Sequence, residues 1–261
     1  MLTLLSPAKS LDFTASPIEL PATRPQLEDD VAALIRRCKE LDVATLRKLM
    51  KLSQPLGELN YERFQEMSWP FTEKNAKPSV LAFRGDVYRG LDAATLSKRD
   101  LKWAQNRLRI LSGLYGVLRP LDLIQPYRLE MGTRLATDRG KNLYAFWGDR
   151  ITAALNAEHR KRRVKAVLNL ASNEYFKAVP TDRLEPRLVT ADFKEYRDGK
   201  LKIVSFYAKR ARGLLARYVI DRRVDDPEDL VDFAAEGYSF DPELSTPDRL
   251  LFTRPRDWAE N

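Results

Sequence analysis

The sequence predicts a mixed α and β fold, α+β in class, with a mixed sheet and surrounding helices, and three observations predict it. Short leucine- and valine-rich runs at 2–5, 165–170 and 187–206 alternate with segments of helical period at 27–67 and 208–220. The 261 residues, 44% hydrophobic and 31% charged, are enough to bury a substantial core without metal or disulfide staples. No internal repeat, low-complexity tract or long linker divides the chain, so residues 1–261 read as a single compact domain.

Each element follows in order. Residues 2–5 form a short buried strand stopped by Ser6-Pro7, because the residue before proline favours an extended backbone. A loop runs through Pro25. Val31, Leu34, Ile35 and Cys38, then Leu46, Leu49 and Met50, recur at spacings of three and four, predicting two or three amphipathic helices to Met67. Residues 80–83 read as a strand entering Arg84-Gly85-Asp86, residues 100–111 as a helix with Asp100 at its N-terminus, and 144–155 as another helix. Residues 165–170 read as a central strand with Asn169 and Ser172 at its carboxyl end. Two β-rich runs flank Asp198-Gly199, a pair suited to a hairpin turn. In 208–220, Ala211, Leu214, Leu215, Tyr218 and Val219 share one helical face, leaving Lys209, Arg210, Arg212 and Arg217 on a basic outer face.

Composition excludes several chemistries. Cys38 is the only cysteine and His159 the only histidine, so internal disulfides, CxxC redox pairs, Cys/His zinc sites and Cys-His or Ser-His catalysis drop out. The same scarcity argues against haem, iron–sulfur or Glu-x-x-His di-iron sites, so no metal and no cofactor is expected. Cys38 falls on a buried helical face, and His159 sits in the polar stretch Glu158-His-Arg-Lys-Arg-Arg163 as a solvated loop residue. No apolar run approaches a membrane span of about 20 residues, and Pro7, Lys9 and Asp12 interrupt the apolar start before it resembles a signal peptide. The expected location is cytoplasmic, with no membrane partner.

Charge is uneven. The chain carries 45 Lys and Arg against 37 Asp and Glu, a net charge of +8. Residues 200–223 hold eight Lys or Arg and one acid, residues 225–248 hold nine acids and no Lys or Arg, and residues 160–165 carry five cations. Such clusters attract polyanions when they converge and are plain solvated surface when they do not.

The segment Leu111-Ser-Gly-Leu-Tyr-Gly-Val-Leu-Arg-Pro-Leu-Asp-Leu-Ile124 places a glycine-bounded turn between apolar runs. It resembles a helix-hairpin-helix, whose glycines let backbone N–H groups approach a nucleic-acid phosphate. The spacing Gly113-Leu-Tyr-Gly116 has one residue more than the usual hairpin, and an ordinary helix C-cap at Gly113 followed by a turn is the alternative.

Six blocks then carry a resemblance over essentially the whole chain. They are Ser6-Pro-Ala-Lys-Ser-Leu-Asp12, Phe83-Arg-Gly-Asp-Val-Tyr88, Leu111 to Asp122, Gln125-Pro-Tyr-Arg-Leu-Glu-Met-Gly132, Asn169-Leu-Ala-Ser-Asn-Glu-Tyr-Phe176 and Ser205-Phe-Tyr-Ala-Lys-Arg-Ala-Arg-Gly213. Together they resemble the bacterial YaaA family of peroxide stress proteins. The resemblance implies a cytoplasmic protein that limits unincorporated iron during hydrogen peroxide stress, and a single mixed α and β fold with a positively charged cleft, a helix-hairpin-helix and DNA-binding activity. Arg84 stands where lysine is common in that family and Asn173 where aspartate is common; the first change keeps the charge and the second loses an anion.

Two functions compete on these residues. In the first, a DNA-binding protein holds the phosphate backbone, non-sequence-specifically or by DNA structure, through Gly113 and Gly116 of the hairpin, Arg119 after it, and Lys9, Arg84, Arg128, Lys177, Lys209, Arg210 and Arg212 in the cleft. Tyr115, Tyr127 and Tyr207 are candidates for stacking on exposed bases, with core packing as the alternative. In the second, an enzyme acts on a small anionic or nucleotide-like substrate in a pocket lined by Ser6, Lys9, Asp86, Glu130, Asn169, Ser172 and Glu174. No P-loop, Rossmann glycine pattern or nucleophile elbow supports catalysis, and no catalytic residue is assigned.

Overall fold

The run Leu2–Leu5 forms strand β1, buried along its whole length, because four apolar residues in extended form need partners on both faces. The structure, a computed structural model, describes residues 1–14, 21–197, 199–255 and 258. After β1 come a two-residue strand β2 (Ser10–Leu11) and a helical layer of α1 (Glu28–Lys39), α2 (Val43–Met50) and α3 (Gln54–Glu66). Acidic residues fill the first turn of α1 and basic residues its last, matching the helix dipole, and Val31, Leu34, Ile35 and Cys38 are buried as the spacing predicts. Asp42 caps α2 by accepting from the Thr45 N–H at 2.7 Å.

The next stretch departs from expectation. Residues 77–84 form β3 (Lys77–Pro78), one helical turn α4 (Ser79–Ala82) and β4 (Phe83–Arg84), so the strand expected over 80–83 is mostly helical. The Ser79 and Val80 N–H groups donate to the Asp122 and Pro120 carbonyls at 2.9 and 3.1 Å, which fixes that turn against the neighbouring loop. Helix α5 (Asp86–Leu91) follows, then α6 (Lys98–Arg107), opened by a reciprocal Ser97–Asp100 capping box.

The helix expected over 100–111 ends at Arg107. Residues Leu108–Ser112 are strand β5, which pairs parallel with β1, and Gly116–Leu118 are strand β6, antiparallel to β5. The segment read as a helix-hairpin-helix is therefore a β-hairpin leading to β7 (Leu123–Ile124). A short, continuously apolar run has no period that separates helix from strand, and pairing with β1 decides the matter here.

The helix expected over 144–155 is two, α7 (Leu143–Trp147) and α8 (Arg150–Arg162), parted at Gly148. His159 is in the last turn of α8, with Nδ1 2.5 Å from the Val164 carbonyl oxygen, rather than in a solvated loop. Strand β8 (Ala166–Asn169) leads to α9 (Asn173–Phe176), then β9 (Arg187–Arg197) pairs antiparallel with β10 (Lys200–Lys202) as a hairpin. Asp198 of the expected turn lies outside the described residues. Helix α10 (Ser205–Arg222) and strands β11 (Ala234–Ala235), β12 (Tyr238–Phe240) and β13 (Arg249–Arg254) complete the fold.

One mixed sheet of nine strands organises a single α/β domain, in the order β11-β12-β13-β9-β8-β1-β5-β6, with β10 on β9. β13, β9, β8, β1 and β5 run parallel at its centre. From β1 the chain returns at β5 on one side and then crosses to β8 on the other. The carboxyl ends of β1 and β8 thus flank the point where the connections diverge, the place where open parallel sheets leave a crevice. Among the described residues, no helix is long and apolar enough to cross a membrane.

The charge clusters mostly neutralise one another. Arg160 pairs with Glu185, Arg162 with Glu158 and Lys165 with Asp226, while Arg187 reaches Glu228 and Asp248 from the acidic C-terminal segment. The 160–165 cluster is therefore spent on internal ion pairs.

Candidate functional site

Ser6 follows β1 and Ser172 follows β8, and their proximity closes the crevice floor. The Ser172 N–H donates to Ser6 Oγ at 2.8 Å, and the two hydroxyls lie 3.3 Å apart. The Tyr88 hydroxyl donates to the Ser6 carbonyl at 3.0 Å, which ties α5 to the end of β1. In front of these groups lies a pocket of about 300 Å3. Its walls bring Lys9, Arg84, Asp86, Ser172, Glu174, Lys209 and Arg212 together with the rings of Tyr88 and Tyr175. Backbone contact positions the helices that carry these groups: a Cβ on Gly213 of α10 would lie 1.9 Å from the Val87 carbonyl oxygen of α5, so only glycine allows that crossing.

A neighbouring lobe shares Lys9 and Tyr175 with the pocket and adds Arg128 and Glu130. There Lys9 Nζ lies 3.0 Å from Glu130 Oε2, and Arg128 lies 3.0 Å from Glu130 Oε1. Arg84 is held by Asp12, whose carboxylate also accepts from the Thr14 hydroxyl and N–H. The Thr14 and Arg84 hydrogen bonds hold the Asp12 carboxyl well below the usual carboxylate range. Asp86 faces Arg89 at 3.4 Å, and Glu174 accepts from the Gly132 N–H at 2.9 Å. Burial pushes the Tyr88 and Tyr175 hydroxyls up, so both remain neutral donors at neutral pH.

Two cations differ from the rest. Lys209 is exposed at the pocket wall and has no ion-pair partner among the described residues. Arg212 is half-buried, its Nε is shielded from solvent without a hydrogen-bond acceptor, and burial lowers its pKa, opposed only by the attraction of Asp192. Asp192 is itself engaged by Arg249 at 2.7 Å.

The pocket thus gathers Lys9, Arg84, Lys209 and Arg212 from the cleft set and Ser6, Asp86, Ser172 and Glu174 from the competing set. The remaining candidates are elsewhere or otherwise occupied. Arg210 pairs with Glu236 at 2.5 Å. Lys177 lies 5.2 Å over the Tyr144 ring on the surface. Asn169 is buried at the end of β8, where its Oδ1 accepts from the Ala171 N–H at 2.9 Å, and it shapes the turn instead of lining the pocket. The outer face expected of α10 is therefore not simply solvated.

The hairpin residues face inward. A Cβ on Gly113 would meet the Leu129 carbonyl oxygen at 2.2 Å, and the Gly113 carbonyl accepts from Trp147 Nε1 at 3.0 Å. Gly116 takes φ +68° with the Trp147 ring over its Cα. Tyr115 is fully buried and its hydroxyl accepts from the Gln125 N–H at 3.0 Å, while Tyr127 is bonded to Ser112 at 2.7 Å. Arg119 serves Asp122, whose side chain is 0% exposed, through Nε at 3.0 Å and a terminal nitrogen at 2.8 Å. Tyr207 lies beneath Arg254, 4.0 Å from ring centroid to guanidinium carbon. None of these groups is presented to a phosphate or a base.

Sequence reasoning missed Tyr88, Tyr175 and the Asp12–Arg84 pair. Their signal lay in the same blocks, Phe83 to Tyr88 and Asn169 to Phe176, but phenols next to apolar residues read as core. Among the described residues no cluster of His, Cys, Asp and Glu is placed to hold a metal ion.

The fold and the site define an α/β protein with a net-basic pocket at the carboxyl ends of parallel strands. The sequence profile of the peroxide stress protein YaaA family matches residues 1–244, and the chain belongs to that family. It is 54% identical over 256 residues to UPF0246 proteins of Burkholderia mallei strain SAVP1 and Burkholderia pseudomallei strain K96243, covering 97% of this chain and 98% of each relative. A UPF0246 protein of Burkholderia thailandensis matches to the same extent.

Proposed function

We propose that this chain acts in the peroxide stress response of its family by binding DNA in the basic cleft, through phosphate contacts rather than base readout. The observation that carries the reading is the convergence of Lys9, Arg84, Lys209 and Arg212, from three separate stretches of chain, on one pocket against two carboxylates. A net-positive concave surface concentrates polyanions whatever their sequence. In this reading the hairpin at 111–118 supports the fold and makes no DNA contact. A cytoplasmic location and an indirect effect on free iron belong to the same proposal.

The test is fluorescence anisotropy of labelled duplex, single-stranded and junction DNA across a salt series. Binding that weakens steeply with salt supports the proposal, and a flat signal at low salt refutes it. A second reading, turnover of a small anionic or nucleotide-like substrate, is favoured by Asp86 and Glu174 sharing the pocket with those cations. Product analysis after incubation with phosphorylated nucleosides, comparing wild type with Asp86→Asn, separates turnover from binding.

A further inference from the structure

The pocket's charges do not balance internally. Arg84 is engaged by Asp12 and Lys9 by Glu130, both acids outside the pocket wall proper. Asp86 and Glu174 have partners of their own in Arg89 and the Gly132 N–H. Lys209 and Arg212 are left over, one turn apart on α10.

Arg212 is the more telling of the two. Leaving a shielded guanidinium nitrogen without an acceptor costs the desolvation of a charged group. Arg107 and Arg109 also shield nitrogens without a hydrogen bond, but each has a carboxylate near, Asp225 at 3.2 Å and Glu158 at 3.1 Å. Arg47 shares an orphaned Nε but packs its stem against Gly57, outside this pocket. Arg212 has no carboxylate in ion-pair reach among the described residues and opens on a cavity of about 300 Å3. The group that satisfies it has to come from outside the chain.

Two uncompensated cations match a dianion, and a planar guanidinium beside an ammonium suits tetrahedral oxyanions. An internal phosphodiester carries one negative charge, whereas a terminal phosphomonoester carries close to two at neutral pH. Resting on the DNA-binding reading, we propose that Lys209 and Arg212 form a subsite for a terminal phosphate, so that the protein prefers phosphorylated strand ends, as at a nick or break, over intact duplex. The pocket volume is at the lower bound of small-ligand sites, enough for one end group and not for a continuous helix. The neutral Tyr175 ring in the wall gives the terminal base or sugar an apolar face.

The same chemistry is available from a free nucleoside monophosphate, and the experiment separates the two sources. Nicked duplexes carrying a 5′-phosphate, a 3′-phosphate or only hydroxyls at the nick are titrated with wild type and with Lys209→Gln/Arg212→Gln. In parallel, dAMP and deoxyadenosine are compared as thermal stabilisers of both proteins. The expected result is at least a tenfold preference for a phosphorylated nick, abolished in the double variant, with wild type stabilised by dAMP and not by deoxyadenosine. Equal binding of phosphate and hydroxyl nicks overturns the inference while leaving DNA binding intact. Stabilisation of both proteins by dAMP alike also overturns it, because the phosphate is then held elsewhere. Absence of DNA binding with dAMP stabilising only the wild type keeps the subsite, assigns it to free nucleotides, and refutes the DNA reading. The thermal midpoints of the free proteins show whether the double variant is folded.

Discussion

The hairpin at 111–118 and the pocket at the ends of β1 and β8 draw on the same residue types, yet they do opposite things. Glycine, serine, tyrosine and arginine occur in both. In the hairpin every polar group named above is already satisfied inside the protein: Tyr115 by Gln125, Ser112 by Tyr127, Gly113 by Trp147 and Arg119 by Asp122. In the pocket, Lys209 and Arg212 have no ion-pair partner among the described residues. A motif reports which groups are present. Function depends on which of them still lack a partner after folding.

The largest expected break in this contrast is Gly113→Ala. Its added methyl meets a backbone carbonyl that cannot rotate away, so the variant loses at least about 3 kcal/mol, the upper end of the overpacking range. Urea denaturation checks it as a fall in midpoint at unchanged slope. A midpoint within error of wild type would mean that the hairpin has room to spare.

Next is Arg119→Gln, which leaves buried Asp122 without its cation and costs about 2 kcal/mol at neutral pH. Burial raises the Asp122 pKa, and Arg119 opposes that rise. A carboxyl whose folded pKa lies above its unfolded value of about 4 stabilises the fold while protonated and loses that contribution as pH rises through the folded value. Removing Arg119 lifts the folded value further. The deficit of the variant relative to wild type therefore grows from about pH 4 to about pH 7, and a constant deficit would contradict the assignment.

Arg212→Gln behaves in the other sense. It removes a desolvated charge that has no internal partner, so thermal stability in ligand-free buffer changes by less than about 1 kcal/mol while anion binding falls. A large loss of stability would show that Arg212 is a structural cation like Arg119.

The smallest effect concerns Cys38. It is buried in α1, and burial pushes its thiol pKa up to about 12, so a thiol reagent or dilute hydrogen peroxide leaves it unmodified in the native protein and reacts only after unfolding. Rapid native-state oxidation would place thiol chemistry back among the functions to consider.

Legibility in the sequence followed how local each signal is. β1, α1 and β8 were readable because unbroken apolar runs or i, i+3, i+4 spacing fix them without knowledge of partners. β5 was not, since Leu108–Ser112 continues the apolar pattern of α6 and becomes a strand through pairing with β1, more than 100 residues away in sequence. The same limit shaped the site. Lys9, Arg84, Lys209 and Arg212 were identifiable as cations within recognisable blocks, but whether Arg210 or Arg212 was available depended on Glu236 being near one and not the other. Asn169 was read as a strand-end polar group, correctly placed, but its amide is consumed by its own turn.

The most direct test of the central claim, that the pocket and not the hairpin holds phosphate, is the salt dependence of DNA affinity for wild type, Lys209→Gln/Arg212→Gln and Arg119→Gln, each corrected for its folded fraction. The account predicts that the pocket variant loses about two phosphate contacts from the slope, at about 0.9 each, while Arg119→Gln keeps the wild-type slope. An unchanged slope for the pocket variant together with a shallower one for Arg119→Gln would contradict it.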